Sequence, residues 1–119
     1  MSSSLRLSDL SPARQALIRI CQAIDHGSIE HLEVRKSEPV YDPAPVMVKD
    51  VRLDKDEGPR PELALSDFTV SDEVCRLLKM LDTVESGSIR HIEVRAGIPR
   101  RVLVESPKLG IGDLRRRPK

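Results

Sequence analysis

Two short runs in this chain carry the side chains from which chemistry is usually built. His31, Glu33 and Arg35 occupy alternate positions of one run, and His91, Glu93 and Arg95 repeat the pattern in another. Alternation of this kind puts three side chains on one face of a β-strand. A histidine beside a carboxylate can move protons, and an arginine can hold an anion. Two histidines and two glutamates from neighbouring strands could also ligate a divalent metal. The same letters have an ordinary structural use: an antiparallel sheet normally keeps one face wet, and Glu–Arg pairs across strands stabilise it by about 0.2–1 kcal/mol each. The likeness of the two runs argues for common construction rather than for two reactions. The expectation is therefore a polar binding face formed by His31, Glu33, Arg35, His91, Glu93 and Arg95, with no catalytic residue and no metal or cofactor site assigned.

The elements that must position this face are legible because the chain repeats itself. Gly27-Ser-Ile-Glu-His-Leu-Glu-Val-Arg35 and Gly87-Ser-Ile-Arg-His-Ile-Glu-Val-Arg95 agree at seven of nine positions. Upstream, Leu7-Ser8-Asp9-Leu10 is echoed by Leu65-Ser66-Asp67-Phe68. Such self-similarity is read first because it fixes architecture. Before the first run, Ser11-Pro12 is a helix start, with a capping hydroxyl and a proline at the first helical position. Ala13, Ala16, Leu17, Ile20, Ala23 and Ile24 then recur at three- and four-residue steps, which predicts a helix ending near Asp25, with Gly27 as its left-handed C-terminal residue. Before the second run, Thr69 begins a capping box with Asp72, Ser71 is a rival cap, and Val74, Leu77, Leu78, Leu81 and Val84 form the stripe. Leu32 and Val34 of the first strand point to the core. Regular pleating would put Ile29 and Ile89 on or beside the polar face, so the strand start is either twisted or bulged, or offers an apolar contact to a second copy.

The returning strands differ between the copies. Ala96-Gly97 predicts a tight turn leading to a strand over Ile98–Glu105. In the first copy, Pro39, Pro43 and Pro45 predict a long, stiff loop from Lys36 to Pro45, followed by a strand over Val46–Leu53. Residues 54–64 form a charged, proline-punctuated linker, and 107–119 a loose tail. The fold class that follows is α+β: one domain over 1–119, made of two units at about 7–53 and 65–106, in the order α-β-β-α-β-β. Two helices would cover one face of a four-stranded, mostly antiparallel sheet, with an approximate two-fold axis relating the units.

Composition narrows the function classes. The 119 residues carry a formal net charge of +1, so no global field draws the chain to nucleic acid or membrane. Tyr41 and Phe68 are the only aromatics, which counts against base stacking on single strands. Cys21 and Cys75 sit among Leu and Ile, as buried free thiols do. With no apolar leader in Met1–Arg6 and no stretch of membrane-spanning length, the expectation is a cytoplasmic protein. The one basic concentration, Arg115, Arg116 and Arg117 with Arg100 and Arg101, supports an alternative reading as a phosphate-contacting arm of a nucleic-acid accessory protein.

The second unit resembles the YezD-like proteins, very short bacterial chains of unknown function with one helix–hairpin unit. The resemblance rests on Leu77, Leu78, Leu81, Gly87-Ser88-Ile89, Ile92, Val94, Gly97 and Val102–Val104. The first unit matches at Gly27-Ser28-Ile29, Leu32 and Val34 and departs at the proline-rich loop. The resemblance implies a bacterial protein in which two fused units stand in for a dimer of single ones. It implies no activity. The functional expectation is a non-catalytic interaction module, self-associating or binding a protein partner.

Overall fold

A computed structural model describes residues 5–56 and 58–105. The elements in chain order are helix α1 (Pro12–Ile24), strands β1 (Gly27–Arg35), β2 (Glu38–Val40) and β3 (Val46–Lys49), helix α2 (Asp72–Val84), and strands β4 (Gly87–Arg95) and β5 (Ile98–Glu105), with short 3-10 turns at Leu7–Asp9 and Pro61–Ala64. The class is α+β, as the residue pattern predicts. The antiparallel sheet runs β2-β1-β4-β5, and β3 also pairs with β1. The return of the first unit is thus made in two pieces, β2 along one half of β1 and β3 along the other.

The nine-residue runs are the two central strands. They pair antiparallel, Gly27 opposite Val94, Ile29 opposite Ile92, Leu32 opposite Ile89 and Val34 opposite Gly87. Exchanging each residue for the one 60 positions away returns pairs of the same register. The helices follow the same offset, since Ser11 and Ser71 both cap. Ser11 Oγ accepts from the Arg14 N–H and Ser71 Oγ from the Val74 N–H, each at 3.2 Å. Ser71, not Thr69, is therefore the cap of α2. Thr69 is drawn instead into a bridge with Arg6.

Both helices bury their stripes against the same sheet face. Leu17, Ile18, Cys21 and Ile24 of α1 join Val74, Leu77, Leu78, Leu81 and Val84 of α2, with Ile29, Leu32, Val34, Ile89, Ile92 and Val94 from the sheet, in one aliphatic cluster. On α1 the stripe is rotated from the expected one: Cys21 and Ile18 are inside and Ala23 is exposed. Burial pushes the Cys21 thiol up to about 12, because a thiolate has no solvation there. The helices end on Asp25 and Glu85, which adopt positive φ of 65° and 60°. Gly27, the residue the sequence pattern predicts for that place, instead opens β1, where a Cβ would lie 1.9 Å from the Val48 carbonyl oxygen.

The proline-rich segment is more regular than its composition suggests. Lys36 and Ser37 have φ of 52° and 64°, as Ala96 and Gly97 have 54° and 74°, so both hairpins turn in two residues. Pro39 sits opposite Val34 as Pro99 sits opposite Val94, each on an edge strand where proline is tolerated. The expected long loop from Lys36 to Pro45 is thus interrupted by β2, and the strand expected over Val46–Leu53 stops at Lys49. The two turns also clasp the opposite unit: the Ser37 N–H donates to the Glu85 carbonyl at 2.8 Å and the Gly97 N–H to the Asp25 carbonyl at 2.9 Å.

Candidate functional site

The candidate face is built by a break in strand alternation. Ile29 and Leu32 are three residues apart, yet both are fully buried on the core side, as are Ile89 and Ile92. Two residues in each strand must therefore share the opposite side: Glu30 with His31, and Arg90 with His91. His31 absorbs the extra residue of β1 with a φ of 63°, a bulge conformation. In β4 the pairing with β5 slips between Ile89 and His91. The apolar contact that regular pleating offered at Ile29 and Ile89 is thereby removed, because the bulge turns both side chains into the core.

The six expected face residues lie on the two central strands, on the side away from the helices. Their partners differ from the expected cross-strand pairs. Glu33 and Arg35 pair along β1 at 3.2 Å, and Glu93 and Arg95 along β4 at 3.2 Å. The i, i+2 spacing on one strand face brings each arginine back over its own glutamate. Glu30 stands opposite His91, with Oε2 at 3.6 Å from Nδ1. His31, exposed, has no such carboxylate among the described residues; it shares the open depression with Arg90, which reaches Glu105 of β5 at 3.9 Å. The single non-conservative difference between the two runs, Glu30 against Arg90, thus gives the centre of the face an acidic and a basic side.

Apolar residues flank this polar strip. Val46 and Val48 on β3 lie opposite Glu30 and Ser28 and are 51% and 44% exposed; Leu103 on β5 lies opposite His91 and is 48% exposed. Glu30, His31, Arg90, His91 and Leu103 line an open depression across β1, β4 and β5. The composition of the strands carried no signal for these flanks, because their exposure depends on which edge each strand occupies.

The basic residues of the alternative reading do not form one group. Arg100 leaves the sheet and pairs with Glu73 of α2 at 2.9 Å. Arg101 is exposed on β5 opposite Glu93. Arg115, Arg116 and Arg117 lie outside the described residues. Sequence reasoning also passed over His26, whose Nδ1 accepts the Ala96 N–H at 3.2 Å and ties the end of α1 to the second hairpin turn. Among the described residues, no three His, Cys, Asp or Glu side chains gather as metal ligands would. Among the described residues, no helix is long and apolar enough to cross a membrane either. No family model, curated protein or solved structure matches this chain.

Proposed function

We propose that the chain is a non-catalytic interaction module that self-associates through the open face of its sheet. The observation that carries this reading is the pairing of a polar centre with exposed Val46, Val48 and Leu103 on a face that neither helix covers. An apolar rim beside fixed charges suits a protein contact better than bulk water. The occupant is a second copy. Glu30 and Arg90 give the centre opposite charges, and a second copy turned over the first can set each Glu30 against the other's Arg90. A two-fold contact of this kind is self-complementary. Within each chain we take the two units to be related by an approximate two-fold axis and to descend from one helix–hairpin ancestor of the YezD-like kind.

A catalytic role draws little support from the geometry. Glu33 and Glu93 are engaged by arginines, and of the two face histidines His91 alone has a carboxylate beside it among the described residues. The nucleic-acid reading gains less than the self-association reading, because Arg35, Arg90, Arg95 and Arg100 each stand beside a glutamate that offsets the charge a phosphate would meet. A cytoplasmic setting and a bacterial origin belong to the same proposal.

Native mass spectrometry and light scattering on the full chain test it. The expected species has twice the monomer mass, and Val48→Glu with Leu103→Glu converts it to monomer without loss of helical circular dichroism. A monomer at every soluble concentration, or a dimer indifferent to both substitutions, overturns the assignment of this face. The pair His31→Ala and His91→Ala is expected to leave the fold intact.

A further inference from the structure

The two units differ at one corner, and the difference shapes a second site apart from the open face. In the first unit the chain leaving β2 carries Tyr41 onto α1, where the ring packs against the core and the hydroxyl donates to the Ala13 carbonyl at 2.7 Å. Ala13 has its counterpart in Glu73, 60 residues on. Tyr41 follows Val40, which pairs with Glu33; in the second unit the residue that follows the Glu93 pair is Val102. A valine replaces the tyrosine, and the space between α2 and β5 is a groove of about 200 Å³ lined by Leu77, Met80, Pro99 and Val102.

That volume decides the size of the occupant. An apolar cavity of about 150 Å³ is enough for one benzene ring, whereas sites for larger ligands start at about 300 Å³. The groove is matched to one aromatic ring, the group that fills the equivalent corner of the first unit. Its rim is basic. Arg100 is held by Glu73, but Arg76 and Arg101 have no ion-pair partner among the described residues. The groove also runs beside β5, an edge strand whose outer backbone groups can accept another strand. An extended segment added there points alternate side chains toward α2.

We propose that the groove between α2 and β5 binds an aromatic side chain of a partner polypeptide, delivered by an extended segment with acidic residues two positions to either side of the aromatic one. The ring takes the place in the second unit that Tyr41 takes in the first. The carboxylates, on the same side of the segment as the ring, meet Arg76 at the rim, and the backbone pairs along β5.

The test is a titration of the full chain, followed by NMR, with the capped peptide acetyl-Asp-Thr-Phe-Thr-Asp-amide. Saturable shifts are expected at the Met80 methyl and at Val102, and none at His31 or His91. Replacing the peptide's phenylalanine by alanine should abolish them, and replacing its aspartates by lysines should weaken binding. Val102→Tyr rebuilds the corner of the first unit and should weaken binding by about tenfold or more, with an unchanged fold by circular dichroism. Should that variant not fold, Met80→Glu on the partly exposed wall serves the same end. Failure of Met80 and Val102 to shift, equal shifts with the alanine peptide, or shifts confined to the open sheet face overturn the proposal. None of these outcomes bears on the oligomeric state.

Discussion

Ile29 shows how much a single residue's role depends on one backbone angle. Strict alternation from Leu32 and Val34 puts it outside, and the bulge at His31 puts it inside, with 0% exposure. Ile29→Ala should therefore cost the 2–5 kcal/mol typical of emptying a core position, roughly, rather than the few tenths of a surface change. Urea unfolding measures it, and a loss below about 0.5 kcal/mol would return the residue to the wet face. Asp67 is a second case. The Arg6 guanidinium, first, and then the Ser8 N–H and hydroxyl hold its carboxyl well below the usual carboxylate range. A carboxyl with a depressed folded value adds stability that is present above its unfolded value and lost as pH falls through the folded one. Asp67 therefore stabilises the chain fully above the ordinary aspartate value of about 4, and its share fades only in more acid solution. Asp67→Asn should lower the thermal midpoint at neutral pH, and the gap from the parent should narrow as the pH is taken down below 4, approximately. A gap that is constant with pH would assign the loss to packing instead.

At the scale of elements, the two helices are matched trials of one cap. Ser71 only caps α2, whereas Ser11 caps α1 and its hydroxyl also donates to Glu38 at 2.5 Å, joining the helix start to β2. Ser71→Ala is expected to cost about 0.5–2 kcal/mol, and Ser11→Ala more than Ser71→Ala, as read from denaturation midpoints. Equal losses would mean that the link to β2 adds nothing. The strands show which signals survive without a structure. β5 runs over the predicted Ile98–Glu105 because Ala96-Gly97 announces its turn. The equivalent turn at Lys36-Ser37 contains no glycine, and prolines follow it, so β2 was hidden behind residues that favour loops. Both chemistries make the same two-residue turn because the central strands fix where the chain must reverse.

At the scale of the molecule, the two copies share one sheet and one core. β1 and β4 form the middle of the sheet, each hairpin turn donates to the opposite helix end, and the helices share one cluster. The two echoed segments before the helices also meet, through the Leu7 N–H and the Phe68 carbonyl at 2.9 Å. A chain of about 60 residues is marginal on its own, and each unit alone would also expose its half of the shared aliphatic cluster. Two fragments cut between Asp56 and Gly58 should each be unfolded by circular dichroism and should regain the sheet when mixed. A fragment that folds alone would show the units to be independent.

The sequence by itself determined the local grammar: two capped helices, two strands of identical pattern, an aliphatic core, and the six residues His31, Glu33, Arg35, His91, Glu93 and Arg95 on the far face. Those features rest on periodicity and capping, which act over a few residues. The tertiary structure alone decided that the copies pair through their first strands, that the glutamates bind arginines of their own strand, and that Ile29 and Ile89 turn inward. It also decided that Tyr41 fills a corner that Val102 leaves open. These outcomes depend on which distant strand lies opposite each residue, and register between strands is set by burial of the whole aliphatic cluster rather than by neighbours in the chain.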